Sequence, residues 1–138
     1  MGKIIAIDFG LKRTGIAISD DAGMFAFGLE TVDSSQLMIR LKELVTKEGV
    51  STVVVGLPKR LNNEESHITQ NVELLAEAIR KEINSVIVEL YDERFTSKMA
   101  LQSMHMAGAS NKQKKKKGLI DKVSATILLQ SYLDHLTK

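Results

Sequence analysis

Five short apolar runs, each bounded by turn residues, predict five strands in this chain. The cluster Asp20-Asp21-Ala22-Gly23 supplies turn chemistry between the second and third runs, so the first three strands should form an antiparallel meander. The fourth run is continuously β-branched, as expected of a strand covered on both faces. The predicted strands are Lys3–Asp8, Arg13–Ser19, Phe25–Thr31, Thr52–Gly56 and Val86–Tyr91.

Apolar residues at helical spacing predict helices between and after the later strands. Asp33-Ser34-Ser35 is a helix start signal, and Gly49 should end the helix that follows it. The apolar face of that helix holds Leu37, Leu41, Leu44 and Val45, and the next helix carries Ile68, Val72, Leu75 and Ile79. Two further helices are predicted from Thr96 to about Met106, with Gly108 as its stop, and from Ile120 to Leu136.

The element order βββαβαβα predicts an α/β fold with a mixed five-stranded sheet and helices packed on it. Right-handed crossovers should place the fourth strand beside the first, in parallel, with the fifth strand beyond it. A chain of 138 residues that is 43% hydrophobic can close one core but not two ordinary ones. We therefore expect one domain spanning residues 1–138.

The composition excludes several classes of site. The chain has no cysteine, which removes disulfide frameworks, thiolate zinc sites and thiol nucleophiles together. No apolar stretch is long enough to span a membrane, and Met1-Gly2-Lys3 leads into the first strand without the regions of a signal peptide. We expect a cytoplasmic protein with no membrane partner.

The charge is distributed unevenly along the chain. Residues 1–90 carry 10 Lys and Arg against 13 Asp and Glu, a net of −3, whereas residues 91–138 carry 9 against 4, a net of +5. Five of the positive charges are Lys112 and the run from Lys114 through Lys115 and Lys116 to Lys117. Such a run is either a solvated loop or a phosphate-binding loop, and its place between two acidic motifs favours phosphate.

Three carboxylates stand where the chain should change direction. Asp8 ends the first strand, Glu93 follows the fifth, and Asp121 opens the last helix. The first and fifth strands should end at the same edge of the sheet, and the last helix would bring Asp121 there. Each acid also has an ordinary interpretation: Asp8 as a turn residue, Glu93 as an ion-pair partner of Arg94, and Asp121 as a favourable charge in a first helical turn.

Taken together, these acids suit metal-dependent hydrolysis of a phosphodiester. That reaction needs an activated water, stabilisation of negative charge and help for the leaving oxygen, and two divalent cations supply all three. Mg²⁺ and Mn²⁺ prefer oxygen ligands and need neither cysteine nor histidine. We therefore expect two such ions at Asp8, Glu93 and Asp121.

Other residues near these motifs have the chemistry to bind phosphate. Lys12 and Arg13 project from the turn after Asp8, and Arg13 is the candidate phosphate clamp. The glycines that would let backbone approach the phosphate, or simply turn the chain, are Gly10, Gly15 and Gly56. The remaining candidate nucleic-acid contacts are Arg94, Lys114, Lys115, Lys116 and Lys117. Asp20 is assigned to a turn and Asp92 to the solvent side, so neither is placed in the metal set.

Four segments, in order, closely resemble the YqgF family. They are Asp8-Phe9-Gly10-Leu11-Lys12-Arg13-Thr14-Gly15-Ile16-Ala17-Ile18-Ser19-Asp20, Gly56-Leu57-Pro58, Asp92-Glu93-Arg94-Phe95-Thr96, and Asp121-Lys122-Val123-Ser124-Ala125 with Ile127-Leu128-Leu129-Gln130. The resemblance covers essentially the whole chain. It implies a ribonuclease-H-like fold, cytoplasmic nuclease activity in 5′-end maturation of pre-16S rRNA, and kinship to Holliday-junction resolvases.

The chain departs from the family pattern at two places. Asn62-Asn63-Glu64-Glu65 follows Gly-Leu-Pro where many relatives have a glycine, and Ser124 stands where alanine is common. We expect these differences to alter loop shape and substrate handling rather than the chemistry.

The leading hypothesis is a metal-dependent nuclease acting on structured RNA, with pre-16S rRNA favoured over branched DNA. A four-way DNA junction resolvase with the same acids is the close alternative, and a non-catalytic RNA- or ribosome-binding factor is the alternative from another class. Aromatic residues make up only 4% of the chain, so recognition should depend on backbone charge and shape rather than on base stacking. Ribosomal particles are a candidate partner, and we expect a monomer or weak homodimer.

Overall fold

The computed structural model describes residues 2–57, 63–92 and 117–136, with side chains described throughout these ranges except at 63–69, 92 and 117–121. Five strands and three helices make up these ranges. The strands are β1 (Lys3–Asp8), β2 (Arg13–Ser19), β3 (Ala26–Asp33), β4 (Val50–Leu57) and β5 (Ile87–Asp92). The helices are α1 (Leu37–Glu48), α2 (Asn63–Glu82) and α3 (Lys117–Leu136).

The strands form one mixed sheet in the order β3-β2-β1-β4-β5. Antiparallel pairing joins β1 to β2 and β2 to β3, and parallel pairing joins β1 to β4 and β4 to β5. The predicted mixed sheet, with the fourth strand beside the first and the fifth beyond it, is confirmed. The central strand is β1, and Ile5, Ala6 and Ile7 are fully buried because both sheet faces are covered there.

Helices cover the two faces of the sheet unequally. Helices α1 and α2 pack on one face, where Leu41 and Ile79 meet Ile5 and Ile7 of β1. Of the described helices only α3 packs on the other face, where Leu128 and its buried neighbours meet Ile4 and Ala6. Since successive strand residues point to opposite faces, the apolar run of β1 supplies both cores at once.

Four elements have boundaries that differ from those predicted, one of them β5, which runs from Ile87 to Asp92 rather than from Val86 to Tyr91. Strand β3 runs from Ala26 to Asp33 rather than from Phe25 to Thr31, because its last residues still pair with the start of β2. Strand β4 begins at Val50, directly after Gly49 ends α1 with a φ of 69°. Helix α3 begins at Lys117, one turn before the predicted Ile120. The predicted helix from Thr96 to Met106 lies outside the described residues.

The predicted helix start after β3 takes a different form. Residues Ser34–Gln36 make a single turn of 3₁₀-helix, and α1 begins at Leu37. Asp33 makes no side-chain capping hydrogen bond to this turn. The start signal marks the correct place in the chain, but the Ser34 hydroxyl there bonds Gly10 instead of the helix.

Helix α3 lies very close to β3, the strand at the edge of the sheet. A Cβ atom built on Gly28 would stand 2.9 Å from both Lys122 Cγ and Thr126 Oγ1. Further along the helix, the side chain of Gln130 accepts a hydrogen bond from the Ala26 amide (3.0 Å) and donates one to the Met24 carbonyl (3.1 Å). The absence of a side chain at Gly28 therefore sets how near the helix lies to the sheet.

No helix within residues 2–57, 63–92 and 117–136 has both the length and the apolarity needed to cross a membrane.

We predict that Gly28→Ala lowers the free energy of unfolding by about 1–3 kcal/mol, because the new methyl group must push α3 away from β3. Thermal or urea unfolding measures the loss. Thr126→Ala alone is the matched control, and the double variant should recover part of the stability because the hydroxyl that meets the new methyl group is gone. Additive losses in the double variant would contradict the close contact.

Candidate functional site

Asp8 ends the central strand on the face that α3 covers. Ile4 and Ala6 contribute to the core under α3, and the alternation of strand side chains puts Asp8 on that same face. Its neighbour Ile7 is fully buried, whereas Asp8 is half-buried. The structure thus places a carboxylate at the edge of the sheet where β1, β4 and β5 all have their carboxyl ends.

Two glycines flank Asp8 on the adjacent strands. Gly15 of β2 is its direct partner in the antiparallel ladder. On the other side, the parallel ladder pairs Ile7 with Val55, and one further residue brings Asp8 beside Gly56. Directly paired residues in a sheet point to the same face, and the two residues directly beside Asp8 are both glycine. We call Gly15, Asp8 and Gly56 the glycine row.

The backbone of α3 brings residue 121 toward this edge. Lys122 and Thr126 lie against Gly28, and Gln130 reaches Ala26, so the helix runs antiparallel to β3 and therefore to β1. Gly28 pairs with Ala17, and Ala17 pairs with Ala6, so Gly28 lies in the same cross-strand row as Ala6. Ala6 precedes Asp8 by two residues in β1. Residue 121 precedes Lys122 in the helix and so lies on the Asp8 side of that row.

Strand β5 ends at the same edge. Gly56 pairs with Tyr91 and Leu57 with Asp92, so the chain leaves the sheet beside the glycine row. Glu93 is the next residue and falls outside the described residues, as do Arg94 and Lys114–Lys116, while the side chains of Lys117 and Asp121 are not described. Among the described side chains no three acidic or histidine residues form a group that could hold a metal ion. The three-acid metal site stays a prediction.

The turn after Asp8 is tightly built. A Cβ atom on Gly10 would lie 2.5 Å from the carbonyl oxygen of Arg13, so the turn itself requires glycine at this position. Lys12 is exposed on the turn, and Arg13 opens β2 opposite Asp33. Gly15, by contrast, lies inside β2 rather than in the turn.

Ser34 contacts this turn, and sequence reasoning missed it. Its hydroxyl donates to the Gly10 carbonyl at 2.5 Å, and its backbone N–H donates to the Lys12 carbonyl at 2.9 Å. The buried hydroxyl of Thr14 lies 2.8 Å from Ser34 Oγ. Because the Ser34 hydrogen is directed to Gly10, Thr14 is the donor in that pair. No local sequence pattern reveals these contacts, since they join residues twenty or more positions apart.

Polar contacts also fix α3 against β5. The Tyr91 and Ser131 hydroxyls lie 2.8 Å apart, and the Tyr132 hydroxyl donates to the carboxylate of Glu89. The two tyrosine rings meet edge to face with centroids 5.6 Å apart. Burial, together with the hydrogen bond to Glu89, raises the pKa of Tyr132 above its ordinary value. These contacts therefore hold α3, which carries the predicted metal ligand Asp121, against β5, which precedes the predicted ligand Glu93.

Asp20 belongs to the turn between β2 and β3, as predicted. Its carboxylate accepts hydrogen bonds from the Phe25 and Met24 amides, which lower the pKa of the Asp20 carboxyl group. The turn is at the opposite edge of the sheet from Asp8, since Ser19 beside it bonds the Ile4 amide near the start of β1. The Asp20 carboxylate therefore stabilises this turn and lies far from the glycine row.

The sequence matches the family RuvX, described as Holliday junction resolvase, over residues 2–135. The chain belongs to the RuvX family. This match covers nearly the whole chain and confirms the family resemblance that the sequence motifs indicate under the name YqgF.

Curated relatives of similar length support the same assignment. Proteins from Bacteroides fragilis and Phocaeicola vulgatus are 44% and 45% identical over 134 residues, covering 97% of this chain and 97% and 96% of their own. A protein from Flavobacterium psychrophilum is 44% identical over 133 residues, covering 96% of this chain and 97% of its own. All three are named "Putative pre-16S rRNA nuclease". RuvX membership and these names confirm the prediction of a nuclease, a hydrolase of phosphodiester bonds.

A solved structure has the same fold. Thermus thermophilus RuvC, determined in complex with a Holliday junction substrate, matches with a TM-score of 0.60 at 15% identity, covering 99% of this chain and 96% of that one. The similarity confirms the predicted ribonuclease-H-like fold of the RuvX chain.

We predict that Tyr132 resists ionisation in the folded protein. Its raised pKa stabilises the fold below the ordinary tyrosine pKa of about 10, and that contribution is lost as the pH rises above it. The chain has two tyrosines, so ultraviolet titration of tyrosinate should give a late step that Tyr132→Phe removes and Tyr91→Phe leaves. Survival of the late step in Tyr132→Phe would contradict the assignment.

Proposed function

We propose that this RuvX protein is a divalent-metal-dependent nuclease for structured RNA that trims the 5′ end of pre-16S rRNA. The observation that carries the proposal is the glycine row: a half-buried carboxylate at the carboxyl ends of the central strands, with a glycine directly beside it on each adjacent strand. The shared name of the relatives from Bacteroides fragilis, Phocaeicola vulgatus and Flavobacterium psychrophilum supports the choice of substrate.

The residues at this edge fit hard divalent cations. Carboxylate oxygens are the ligands that Mg²⁺ and Mn²⁺ prefer, and the two glycines directly beside Asp8 contribute no side chain that would compete for them. Asp8, Glu93 and Asp121 would hold two such ions. When bound, the ions supply an activated water, charge stabilisation on the phosphate and help for the leaving oxygen.

The chain's own residues bind and orient the RNA. The buried strand that Asp8 ends fixes the backbone position from which its carboxylate meets the substrate. Lys12 and Arg13 bring positive charge to the turn beside it, where they contact backbone phosphates. Arg94 and the run Lys114–Lys117 contact further phosphates along the RNA. Binding therefore depends on the charge and shape of the RNA rather than on its base sequence.

A four-way DNA junction is the second candidate substrate. The description of the RuvX family as Holliday junction resolvase favours it specifically. Metal-binding acids do not distinguish RNA from DNA, so only substrate comparison separates the two. On either substrate the protein acts in the cytoplasm as a single domain, as a monomer or a weak homodimer. If the substrate is pre-rRNA, the partner is the ribosomal particle that contains it.

We predict that Asp8→Asn lowers cleavage by at least about 100-fold, since a neutral amide holds a divalent cation far less well than a carboxylate. The assay uses a 5′-extended pre-16S rRNA fragment, with a four-way DNA junction alongside, in limiting Mg²⁺ or Mn²⁺. Asp21→Asn, at an exposed turn position, is the matched control and should retain the wild-type rate. Equal rates for Asp8→Asn and wild type would refute the role of Asp8.

We predict that replacing Lys114–Lys117 with glutamine weakens RNA binding. The salt dependence of the binding constant should fall by about one unit of slope for each phosphate that the lysines no longer neutralise. The rate of the chemical step at saturating RNA should change less. Replacing two lysines of the run with glutamine is compared with replacing the exposed helical Lys47 and Lys81, which removes the same two charges elsewhere. The same salt slope in the wild type and the Lys114–Lys117 variant would mean that the lysine run does not touch RNA.

A further inference from the structure

The hydroxyl and the backbone N–H of Ser34 form hydrogen bonds to the turn that follows Asp8 and to Thr14 of β2. Its hydroxyl donates to the Gly10 carbonyl and accepts from Thr14, and its backbone N–H donates to the Lys12 carbonyl. It is the first residue of the 3₁₀ turn before α1, directly after Asp33 at the N-cap, in the segment that the sequence predicts as a helix start. The hydroxyl is instead the middle of a chain of hydrogen bonds running from Thr14 through Ser34 to Gly10.

These bonds fix the orientation of one exposed peptide group. The peptide bonds of the described residues are all trans, so the C=O of Gly10 and the N–H of Leu11 point in opposite directions. With the Gly10 carbonyl held against Ser34, the Leu11 N–H points away from Ser34. Residue Leu11 is 65% exposed, so this peptide lies on the outer surface of the turn.

The peptide can change orientation only if the bonds to Ser34 break. Gly10 is already too close to the Arg13 carbonyl to admit a Cβ atom, which leaves the turn little room to rearrange. Thr14 is fully buried, and its hydroxyl would lose its partner if Ser34 moved away. The buried Thr14 hydroxyl, through Ser34, therefore stabilises the orientation of the exposed Gly10–Leu11 peptide.

We propose that Ser34 is a positioning residue that holds the Leu11 N–H outward, three residues after Asp8, to donate a hydrogen bond to a backbone phosphate oxygen of the substrate. This inference rests on the proposed nuclease function. It adds a neutral backbone donor to the charged contacts of Lys12 and Arg13. A backbone donor of this kind contributes to binding phosphate regardless of base sequence.

The decisive variant is Ser34→Ala, which removes the hydroxyl from both of its hydrogen bonds. We expect KM for the 5′-extended pre-16S fragment to rise about tenfold with a smaller change in kcat, because the Leu11 hydrogen bond is made to bound substrate as well as to the transition state. Ser34→Thr keeps the hydroxyl and should restore KM. Thr14→Val leaves the Gly10 bond in place and should have an intermediate effect.

Ser35→Ala is the matched control, since Ser35 is the exposed neighbour in the same 3₁₀ turn. All variants are assayed well below their unfolding temperatures, which are measured in parallel. If Ser34→Ala lowers only the unfolding temperature and leaves KM equal to that of Ser35→Ala, Ser34 merely supports the fold and the inference is wrong.

The proposed function and this inference fail separately. Loss of cleavage in Asp8→Asn with an unchanged KM in Ser34→Ala keeps the nuclease and removes the role of Ser34. If the wild type cuts neither RNA nor junction DNA, the nuclease proposal fails. The dissociation constants of Ser34→Ala, Ser34→Thr and Ser35→Ala for the same RNA then decide whether Ser34 positions a phosphate contact.

Discussion

The burial of β1 on both faces is the constraint on which the rest of the structure depends. Ile5 and Ile7 pack under α1 and α2, and Ile4 and Ala6 pack under α3, so the strand can neither shift by one residue nor turn over. A slip of one residue would move Asp8 to the other face. The position of the charge at the end of the strand is therefore determined by the apolar residues before it.

Much of this architecture could be predicted because its causes are local. The apolar runs gave the five strands, the crossover rule gave the order of β1, β4 and β5, and Gly49 ends α1 as its position indicates. The family motifs gave the fold class and the nuclease function. The assignment to one domain and the ligand roles of Asp8, Glu93 and Asp121 stay predictions.

The features that sequence reasoning missed depend on partners far apart in the chain. The hydroxyl of Ser34 bonds Gly10 rather than capping α1, because the turn after β1 folds back against the end of β3. Gly15 and Gly56 come to lie on either side of Asp8 only through two different strand ladders. Spacing along the chain carries no record of such pairings, so the glycine row emerges only from the sheet register.

The pairing of β1 with β4 also bears on the order of folding. The β1–β3 meander joins near neighbours, whereas β1 gains its second strand partner only after α1, and the cover over Ala6 comes from α3, far later in the chain. Contacts of such long sequence separation form slowly. On a translating ribosome, a chain that has not yet released α3 exposes the apolar face of β1 beside Asp8. The cover over Ala6 and the end of β1 therefore forms only once the residues of α3 have left the ribosome.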